Sequence, residues 1–323
     1  MKKLIILFSF NIFIYAKFLV GVGGYDLCQI NGFYKQFDNH CTINANITDY
    51  TKKNLPNVNA ISIWITKDFD FKNWFPPKSV NENLVAKGYT PIFIVYWWRD
   101  DISVKYIQKH KKEYFNFLKK CNKYFSKIKG EKYIILNPEY NENGISSWSG
   151  WNDIMKKSFF MLKTKNRKIG YGVGDFGVYE VTFDYNNFQS FDKSFKAVKY
   201  FDFIAFQEMR AITRNSKGAI LNTPYRSLEF AKYLYQKYHK PTFLAYLAVS
   251  SYKAKNIQAE VYKRFFQLLP IFKKEAHLIG FNIFHLFDRP QQVGYFKKAE
   301  KYFGLINKQG EKKPSYFWFL NIK

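Results

Sequence analysis

The segment EKYIILNPEYNENG, residues 131–144, carries a short apolar run into a carboxylate. Ile134, Ile135 and Leu136 form a continuous apolar stretch, which is typical of a strand buried on both faces, as in a parallel sheet. Glu139 follows at the end of that stretch with no Lys or Arg beside it, so it is either a solvated loop residue or a group held at the sheet edge for chemistry. Asn137 and Glu139 are two residues apart and are expected to share one strand face, which favours the second interpretation.

Similar apolar runs recur along the chain, each followed by polar residues. They span residues 18–26, 60–68, 90–98, 132–139, 168–175, 202–208, 241–251 and 278–288. Helical periodicity between the runs predicts helices at residues 103–127, 224–238 and 256–275. The runs start about 30 to 40 residues apart, the length of one strand-plus-helix unit, and eight such units favour a closed (β/α)8 TIM barrel of the α/β class over an open sheet.

Composition supports a single large domain over residues 17–323. Hydrophobic residues make up 47% of the 323, which is enough for a large core and excludes disorder. The chain has no linker rich in Pro, Gly or Ser, and its first apolar run lacks the GxGxxG pattern of a dinucleotide-binding fold.

The net charge of +26 comes from 51 Lys and Arg against 25 Asp and Glu. The lysines are scattered through every segment, and no RNA-recognition, zinc-finger or helix-turn-helix pattern is present, so we predict no nucleic-acid partner. A basic surface could still attract an anionic polysaccharide or a lipid headgroup layer over a long range.

The amino terminus, MKKLIILFSFNIFIYA, has the plan of a secretory signal peptide over residues 1–16, with cleavage after Ala16. The alternative is a first strand preceded by an apolar arm. A signal peptide predicts export to the periplasm or beyond, where Cys28 and Cys41 could pair as a disulfide. Cys121 lies in a helical pattern and is expected to be a lone buried thiol. No later segment is long and apolar enough for a transmembrane helix.

In a barrel of this kind the residues that follow the strands gather at one end and build the site. These residues are Tyr25, Asp26, Lys67, Asp68, Trp97, Trp98, Arg99, Asp100, Asn137, Glu139, Tyr140, Glu142, Asp175, Gln207, Glu208, Tyr246, His285 and Asp288. The set is rich in carboxylates, amides and aromatics, which bind sugar hydroxyls and stack on sugar rings. Its acids are spread out and His is rare, so no metal or other cofactor is expected.

Each of these positions also has a structural interpretation. Asp26 or Asp68 alone is more typical of a helix cap or turn. Trp97 and Trp98 are adjacent on a strand and point to opposite faces, so at most one is expected to line the site, and both could belong to the core.

Three motifs resemble the large superfamily of (β/α)8 glycoside hydrolases that includes cellulases, mannanases and β-glycosidases. LNPEYNENG is similar to the place where that superfamily keeps its acid/base Glu after an Asn, although Pro138 separates the two here. The tail YFGLINKQGEKKPSYFWF, residues 302–319, and GFNIFHLFD, residues 280–288, are similar to the family's C-terminal motif and eighth strand. The resemblance implies a secreted glycosidase, with Glu139 as the general acid.

The seventh strand departs from the family. It reads KPTFLAY over residues 240–246, so Tyr246 stands where the family places its nucleophilic Glu. Four interpretations remain: Glu139 works with Glu208 across the site; Glu139 works with Glu142; Tyr246 is the nucleophile; or the barrel binds glycans without cleaving them. We rank the first of these ahead of the others, and non-catalytic binding next.

The predicted function is therefore hydrolysis of O-glycosidic bonds in a polysaccharide or glycan by a monomer, with Glu139 and Glu208 as the catalytic carboxylates. An anionic polymer is compatible with the basic surface. The predicted substrate-binding residues are Asp26, Trp97, Trp98, Asn137, Tyr140, Glu142, Asp175, Gln207, Tyr246, His285 and Asp288.

Overall fold

A computed structural model of the chain describes residues 17–23, 47–99, 102–175, 188–290 and 292–322. The first sixteen residues, with the predicted signal peptide, lie outside the described residues, as do Tyr25, Asp26, Cys28, Cys41 and Asp100. Within the described residues the chain forms a closed barrel of eight strands that are joined in sequence order, β1 closing against β8.

Strands and helices alternate along the chain. The strands are β1 (Leu19–Gly23), β2 (Ala60–Thr66), β3 (Thr90–Tyr96), β4 (Lys132–Leu136), β5 (Arg167–Gly174), β6 (Phe203–Arg210), β7 (Thr242–Val249) and β8 (Leu278–Ile283). The α-helices are α1 (Ile47–Asn54), α2 (Pro77–Asn83), α3 (Val104–Ser126), α4 (Trp151–Leu162), α5 (Lys217–Tyr238), α6 (Lys255–Glu275) and α7 (Pro314–Leu320). Short 3-10 helices cover Val85–Lys87, Ile145–Ser147, Asp192–Ser194, Lys196–Tyr200 and Lys297–Tyr302.

All eight pairings between neighbouring strands are parallel. The predicted (β/α)8 TIM barrel is thus confirmed, and each predicted apolar run overlaps one strand. None of the helices that the structure describes has the length and apolar character to cross a membrane.

The strands are continuous apolar runs because both of their faces are covered. On β3, Ile92 and Ile94 point into the barrel, while Phe93 and Val95 join the layer between the barrel and its helices. The same alternation holds along β4, where Tyr133 and Ile135 are the inward residues. The outer layer is the larger core, and Cys121 of α3 is buried in it as a free thiol, as the sequence predicted.

Serine caps begin the two longest helices. Ser103 Oγ accepts from the Tyr106 N–H at the start of α3, and Ser216 Oγ accepts from the Ala219 N–H at the start of α5. Each cap satisfies a backbone donor that the helix itself leaves unpaired, which stabilises the fold by about 1 kcal/mol.

The carboxyl-terminal tail is locked to the barrel by a buried ion pair. Lys313 Nζ lies 2.5 Å from Asp288 Oδ1, and both side chains are 4% exposed. Lys313 also donates to Ser251 Oγ, and the Gly304 N–H donates to Asp288. The tail motif that resembles glycoside hydrolases therefore anchors α7 beside the end of β8.

Candidate active site

The backbone turns sharply where β4 ends. Asn137 and Glu139 both have positive φ, 51° and 64°, so the extended strand stops at Leu136. The turn passes over Gly172 of β5, where a Cβ atom would lie 2.6 Å from the Pro138 nitrogen. Gly172 is required at this position because any side chain would displace the segment that carries Glu139.

This turn sends Asn137 and Glu139 in different directions. Asn137 Nδ2 donates to Tyr114 Oη of α3 at 2.9 Å and lies 3.2 Å from Met155 Sδ of α4, so the side chain is in the layer under the helices. The expectation that Asn137 and Glu139 share one strand face is wrong, because neither residue is in extended conformation.

Two tyrosines hold the carboxylate of Glu139. Tyr96 Oη, at the end of β3, donates to Glu139 Oε2 at 3.0 Å, and Tyr246 Oη of β7 donates to Oε1. Tyr246 is fully buried, whereas Glu139 and Tyr96 are partly exposed. The carboxylate is thus held at the carboxyl end of the strands, between opposite sides of the barrel, on a residue that is partly exposed.

A β-bulge directs Tyr246 to this position. Phe206 of β6 pairs with Leu244, and the next residue, Gln207, pairs with Tyr246, so Ala245 is an extra residue in β7. Leu244 and Leu247 belong to the outer layer, while Tyr246 belongs to the inner cluster. Strict alternation from Leu244 would have pointed Tyr246 outward; the extra residue reverses its face.

Aromatic rings form a wall beside Glu139. The Trp64 ring of β2 lies 5.1 Å from that of Tyr246 and 5.6 Å from those of Tyr96 and Phe284. Trp64 and Tyr96 are not among the predicted site residues, because they lie before the ends of their apolar runs, where the residues predicted for β2 and β3 lie. Period-two alternation, which puts both on the inward face near the end of their strands, would have found them.

Gln207 is the inward-facing polar residue on β6 next to Tyr246. Its side chain is 6% exposed, and its Oε1 has no hydrogen-bond partner in the part of the chain that the structure describes. An amide with an open acceptor in this position can bind a sugar hydroxyl.

Glu208, the predicted second catalytic carboxylate, lies on the other face of β6. Ile204 and Phe206 belong to the outer layer, and alternation places Glu208 with them, toward α5. Its Oε2 is 3.1 Å from an Arg210 guanidinium nitrogen, and both side chains are buried. Burial, with the negative charge of Asp175 added, raises the pKa of Glu208 well above its ordinary value. The structure therefore does not bring Glu208 together with Glu139 at the barrel mouth.

Asp175, at the end of β5, belongs to the same buried group. It accepts two hydrogen bonds from the Arg226 guanidinium of α5, at 2.7 and 2.9 Å, and neither side chain is exposed. Such a two-point pair fixes α5 against the barrel wall.

Trp97, Trp98 and Tyr140 are buried between the barrel and its helices. The two tryptophans are each 3% exposed, and the Trp98 ring is 4.8 Å from that of Tyr114 in α3. The Tyr140 ring stacks on Trp151 of α4 at 5.1 Å, and its hydroxyl hydrogen-bonds with that of Ser194. All three side chains contribute to the core that supports the mouth.

The remaining predicted residues lie nearer the surface loops. Glu142 is partly exposed three residues beyond Glu139. His285 is buried beside Phe284, its Nε2 lies 3.0 Å from Gln292 Oε1, and burial lowers its pKa well below the usual value. Asp288 forms the ion pair with Lys313 described above. Among the described residues, no three His, Cys, Asp or Glu side chains converge to hold a metal ion.

Known proteins resemble this chain in structure. No protein-family model and no curated protein matches the sequence. The endo-β-1,4-mannanase from Thermotoga petrophila is 11% identical with a TM-score of 0.63, over 95% of this chain and 76% of that one. The endo-1,4-β-xylanase from Caldicellulosiruptor owensensis is 14% identical with a TM-score of 0.56, over 94% and 97%.

A third similar structure is a GH5_18 variant from Bifidobacterium longum subsp. longum in complex with Manβ1-4GlcNAc. It is 12% identical with a TM-score of 0.55, over 94% of this chain and 77% of that one. At these identities the likeness concerns the fold alone, a (β/α)8 barrel.

Proposed function

We propose that the protein hydrolyses O-glycosidic bonds of a polysaccharide or glycan and that Glu139 is its general acid/base. The observation that carries the proposal is the position of the Glu139 carboxylate, held by Tyr96 and Tyr246 at the carboxyl end of the barrel. This end is where barrel enzymes build their sites, and a carboxyl group there can protonate the leaving oxygen of a glycosidic bond.

The neighbouring side chains support a sugar as the ligand. Trp64 and Tyr96, both partly exposed, offer aromatic surface to the apolar face of a sugar ring. Gln207 offers an open amide oxygen to a hydroxyl group. The mannanase and xylanase with this fold make a β-linked polysaccharide a reasonable first class of substrate to test.

Tyr246 is the best-placed partner for Glu139 among the residues that the sequence singled out. It stands on β7, and its hydroxyl already donates to the carboxylate. As a positioning residue, Tyr246 only holds Glu139 in place. As a nucleophile, the Tyr246 oxygen forms a bond to the anomeric carbon while the bond from that carbon to the leaving oxygen breaks. The phenol proton of Tyr246 passes to Glu139, and Glu139 gives a proton to the leaving oxygen. Water then cleaves the glycosyl-tyrosine.

A non-catalytic glycan-binding barrel is the second candidate function. It is favoured by the tyrosine at position 246 and by the direction of Glu208, which lies toward α5 and away from the mouth. The aromatic wall and Gln207 would then bind sugar without chemistry.

The glycosidase and the non-catalytic binding barrel are distinguished by two measurements on a panel of polysaccharides: the release of new reducing ends and the amount of protein bound to each polymer. For the enzyme, wild type releases reducing ends from at least one polymer, and Glu139→Gln binds that polymer but releases almost none. Glu131→Gln is the matched control, because Glu131 is exposed at the opposite end of β4. Binding without product by the wild type would support the second candidate, and equal product from Glu139→Gln would remove Glu139 from the chemistry.

Export remains part of the proposal. The plan of residues 1–16 supports removal of a signal peptide after Ala16. Mass spectrometry of the mature amino terminus from the native host should find a chain that begins at Lys17. Recovery of chains that still begin at Met1 or Lys2 would contradict export by this route.

A further inference from the structure

The side of the barrel carries an exposed patch of aromatic and basic side chains, which we call the basic-aromatic flank. It consists of Phe115 on α3, Lys156, Lys157, Phe160 and Met161 on α4, and Lys199 and Tyr200 on the 3-10 helix before β6. At its centre is an open cleft of about 380 Å³, lined by the four α4 residues and Asp153. No role in the proposed reaction uses this surface.

Phe160 is the apolar centre of the flank. Its side chain is 59% exposed, although the neighbouring Phe159 is buried in the core. The Phe160 ring contacts that of Tyr200 at 5.5 Å between centroids. With the partly exposed Met161 and Tyr200 beside it, Phe160 forms a contiguous apolar patch with lysines at its rim, and a patch of this kind indicates an interaction site.

Lysines surround this centre. Lys157 Nζ lies 4.2 Å above the Phe115 ring, and Lys156 and Lys199 each lie 5.3 Å from the Tyr200 ring. Neither Lys156, Lys157 nor Lys199 forms an ion pair within the described parts of the chain. All three lysines are exposed, so they place positive charge at the surface around the apolar centre.

The neighbouring turns of α3 extend the positive charge. Lys111 and Lys119 are exposed and lie one helical turn before and after Phe115, on the same face of the helix. Asp153 is the acidic residue in the cleft lining. Basic residues therefore outnumber acidic residues around the flank, in addition to the excess of lysine along the whole chain.

The flank lies away from the mouth of the barrel. α4 runs antiparallel to the strands, so its last turn, with Phe160 and Met161, lies near their amino ends. Lys199 and Tyr200 come directly before the amino end of β6 at Phe203. A flat partner bound here leaves the Glu139 end of the barrel open to solvent.

We propose that the basic-aromatic flank binds the surface of an anionic phospholipid membrane. An apolar side chain surrounded by lysines has the two features that membrane surfaces attract: an apolar group to insert among the acyl chains and positive charge for the headgroups. The described lining of the cleft has two lysines and two apolar side chains against one carboxylate, which is the combination that an anionic lipid surface attracts.

Co-sedimentation with vesicles tests this proposal on the full chain. The vesicles are phosphatidylcholine alone and phosphatidylcholine mixed with phosphatidylglycerol. Wild type is expected to bind the mixed vesicles far more strongly than the neutral ones. The double variant Lys156→Ser, Lys157→Ser should weaken this binding by more than about tenfold, and Phe160→Ser by about tenfold. The full chain used here begins at Lys17, the proposed mature amino terminus, so residues 1–16 contribute nothing to vesicle binding.

Matched controls separate the flank from the overall charge. Lys297→Ser with Lys298→Ser removes the same charge from an exposed position near β8, and Val293→Ser removes a side chain that is 83% exposed. Both controls should bind like the wild type. Equal loss in flank and control variants would overturn the proposal in favour of general charge attraction, and absence of vesicle binding would overturn it outright. Binding to soluble dextran sulfate that depends on the same flank residues would identify an acidic polysaccharide as the partner instead.

Discussion

Glu139 differs from Asp175 and Asp288, two other carboxylates that follow or end strands, in what surrounds it. Asp175 forms a buried ion pair with Arg226, and Asp288 forms one with Lys313. Glu139 instead accepts hydrogen bonds from two neutral phenols and is partly exposed. Of these three carboxylates, Glu139 is therefore the one that a ligand at the barrel mouth can reach.

The two phenols that bind Glu139 should differ in their effect on hydrolysis. Tyr246→Phe removes the donor on β7 and is expected to lower kcat by about tenfold to a hundredfold when the phenol only positions Glu139. A Tyr246 nucleophile predicts a loss at least as large as that of Glu139→Gln. Tyr96→Phe is the matched control, since it removes the donor to the other carboxylate oxygen. Steady-state kinetics, with thermal melts to confirm folding, separate these outcomes. No change in Tyr246→Phe would exclude both roles.

Gly172 should be essential to the position of Glu139. In Gly172→Ala the new Cβ would lie 2.6 Å from the Pro138 nitrogen and 2.7 Å from the Leu136 carbonyl oxygen. Backbone cannot move as easily as a flexible side chain, so we expect a loss of about 1–3 kcal/mol in the free energy of unfolding. Urea denaturation measures this loss, and an unchanged midpoint would show that the turn after β4 tolerates displacement.

Secondary-structure elements were predictable where their patterns were local. The strands are continuous apolar runs, and α3 and α6 match their predicted spans within a residue or two. α5 extends seven residues before its predicted start, because Ser216 caps it and Pro224 is accommodated inside the helix. The extra residue in β7 could not be predicted, since apolar residues occupy both faces of that strand and the periodicity carries no information about a bulge.

The buried ion pair between Asp288, which follows β8, and Lys313 of the tail makes the stability of the barrel depend on pH. Burial raises the pKa of Asp288 from 3.8 to about 6, against the opposing effect of Lys313. The folded protein therefore holds this proton more tightly than the unfolded chain does. Between about pH 4 and pH 6 the contribution of Asp288 to stability falls as pH rises, by up to about 3 kcal/mol.

Asp288→Asn removes this contribution. The free energy of unfolding of the wild type minus that of the variant should fall as pH rises from 4 to 6 and change little above that window. Urea denaturation at several pH values gives the difference. A constant difference across the window would show that Asp288 has an ordinary pKa in the folded protein.

At the scale of the whole molecule, the sequence predicts the barrel but only part of the candidate site. Eight apolar runs at regular spacing specify the closed sheet, and the end of β4 draws attention to Glu139, which the structure places at the carboxyl end of the barrel. The sequence does not predict where the side chains of Asn137 and Glu208 point. Asn137 lies in a turn with positive φ, and the direction of Glu208 depends on which face of a buried strand meets a helix. The inward direction of Trp64 and Tyr96, in contrast, follows from period-two alternation along β2 and β3.

The architecture separates three tasks around one barrel. The strand ends hold Glu139, the buried pairs of Asp175 and Asp288 fix α5 and the tail, and the basic-aromatic flank faces outward on the side. The membrane and glycosidase proposals rest on different surfaces, so flank variants should leave hydrolysis of a soluble substrate unchanged and Glu139 variants should leave vesicle binding unchanged.

The most direct test of Glu139 as general acid asks how much activity a Glu139 variant loses on substrates with different leaving groups. Glu139→Ala and wild type are compared on an oligosaccharide that the wild type cleaves and on an aryl glycoside of the same sugar with an acidic phenol as leaving group. An acidic phenol departs without a proton, so the account predicts a loss of more than about a hundredfold on the oligosaccharide and a far smaller loss on the aryl glycoside. Equal losses on both substrates would contradict the assignment of Glu139 as the acid.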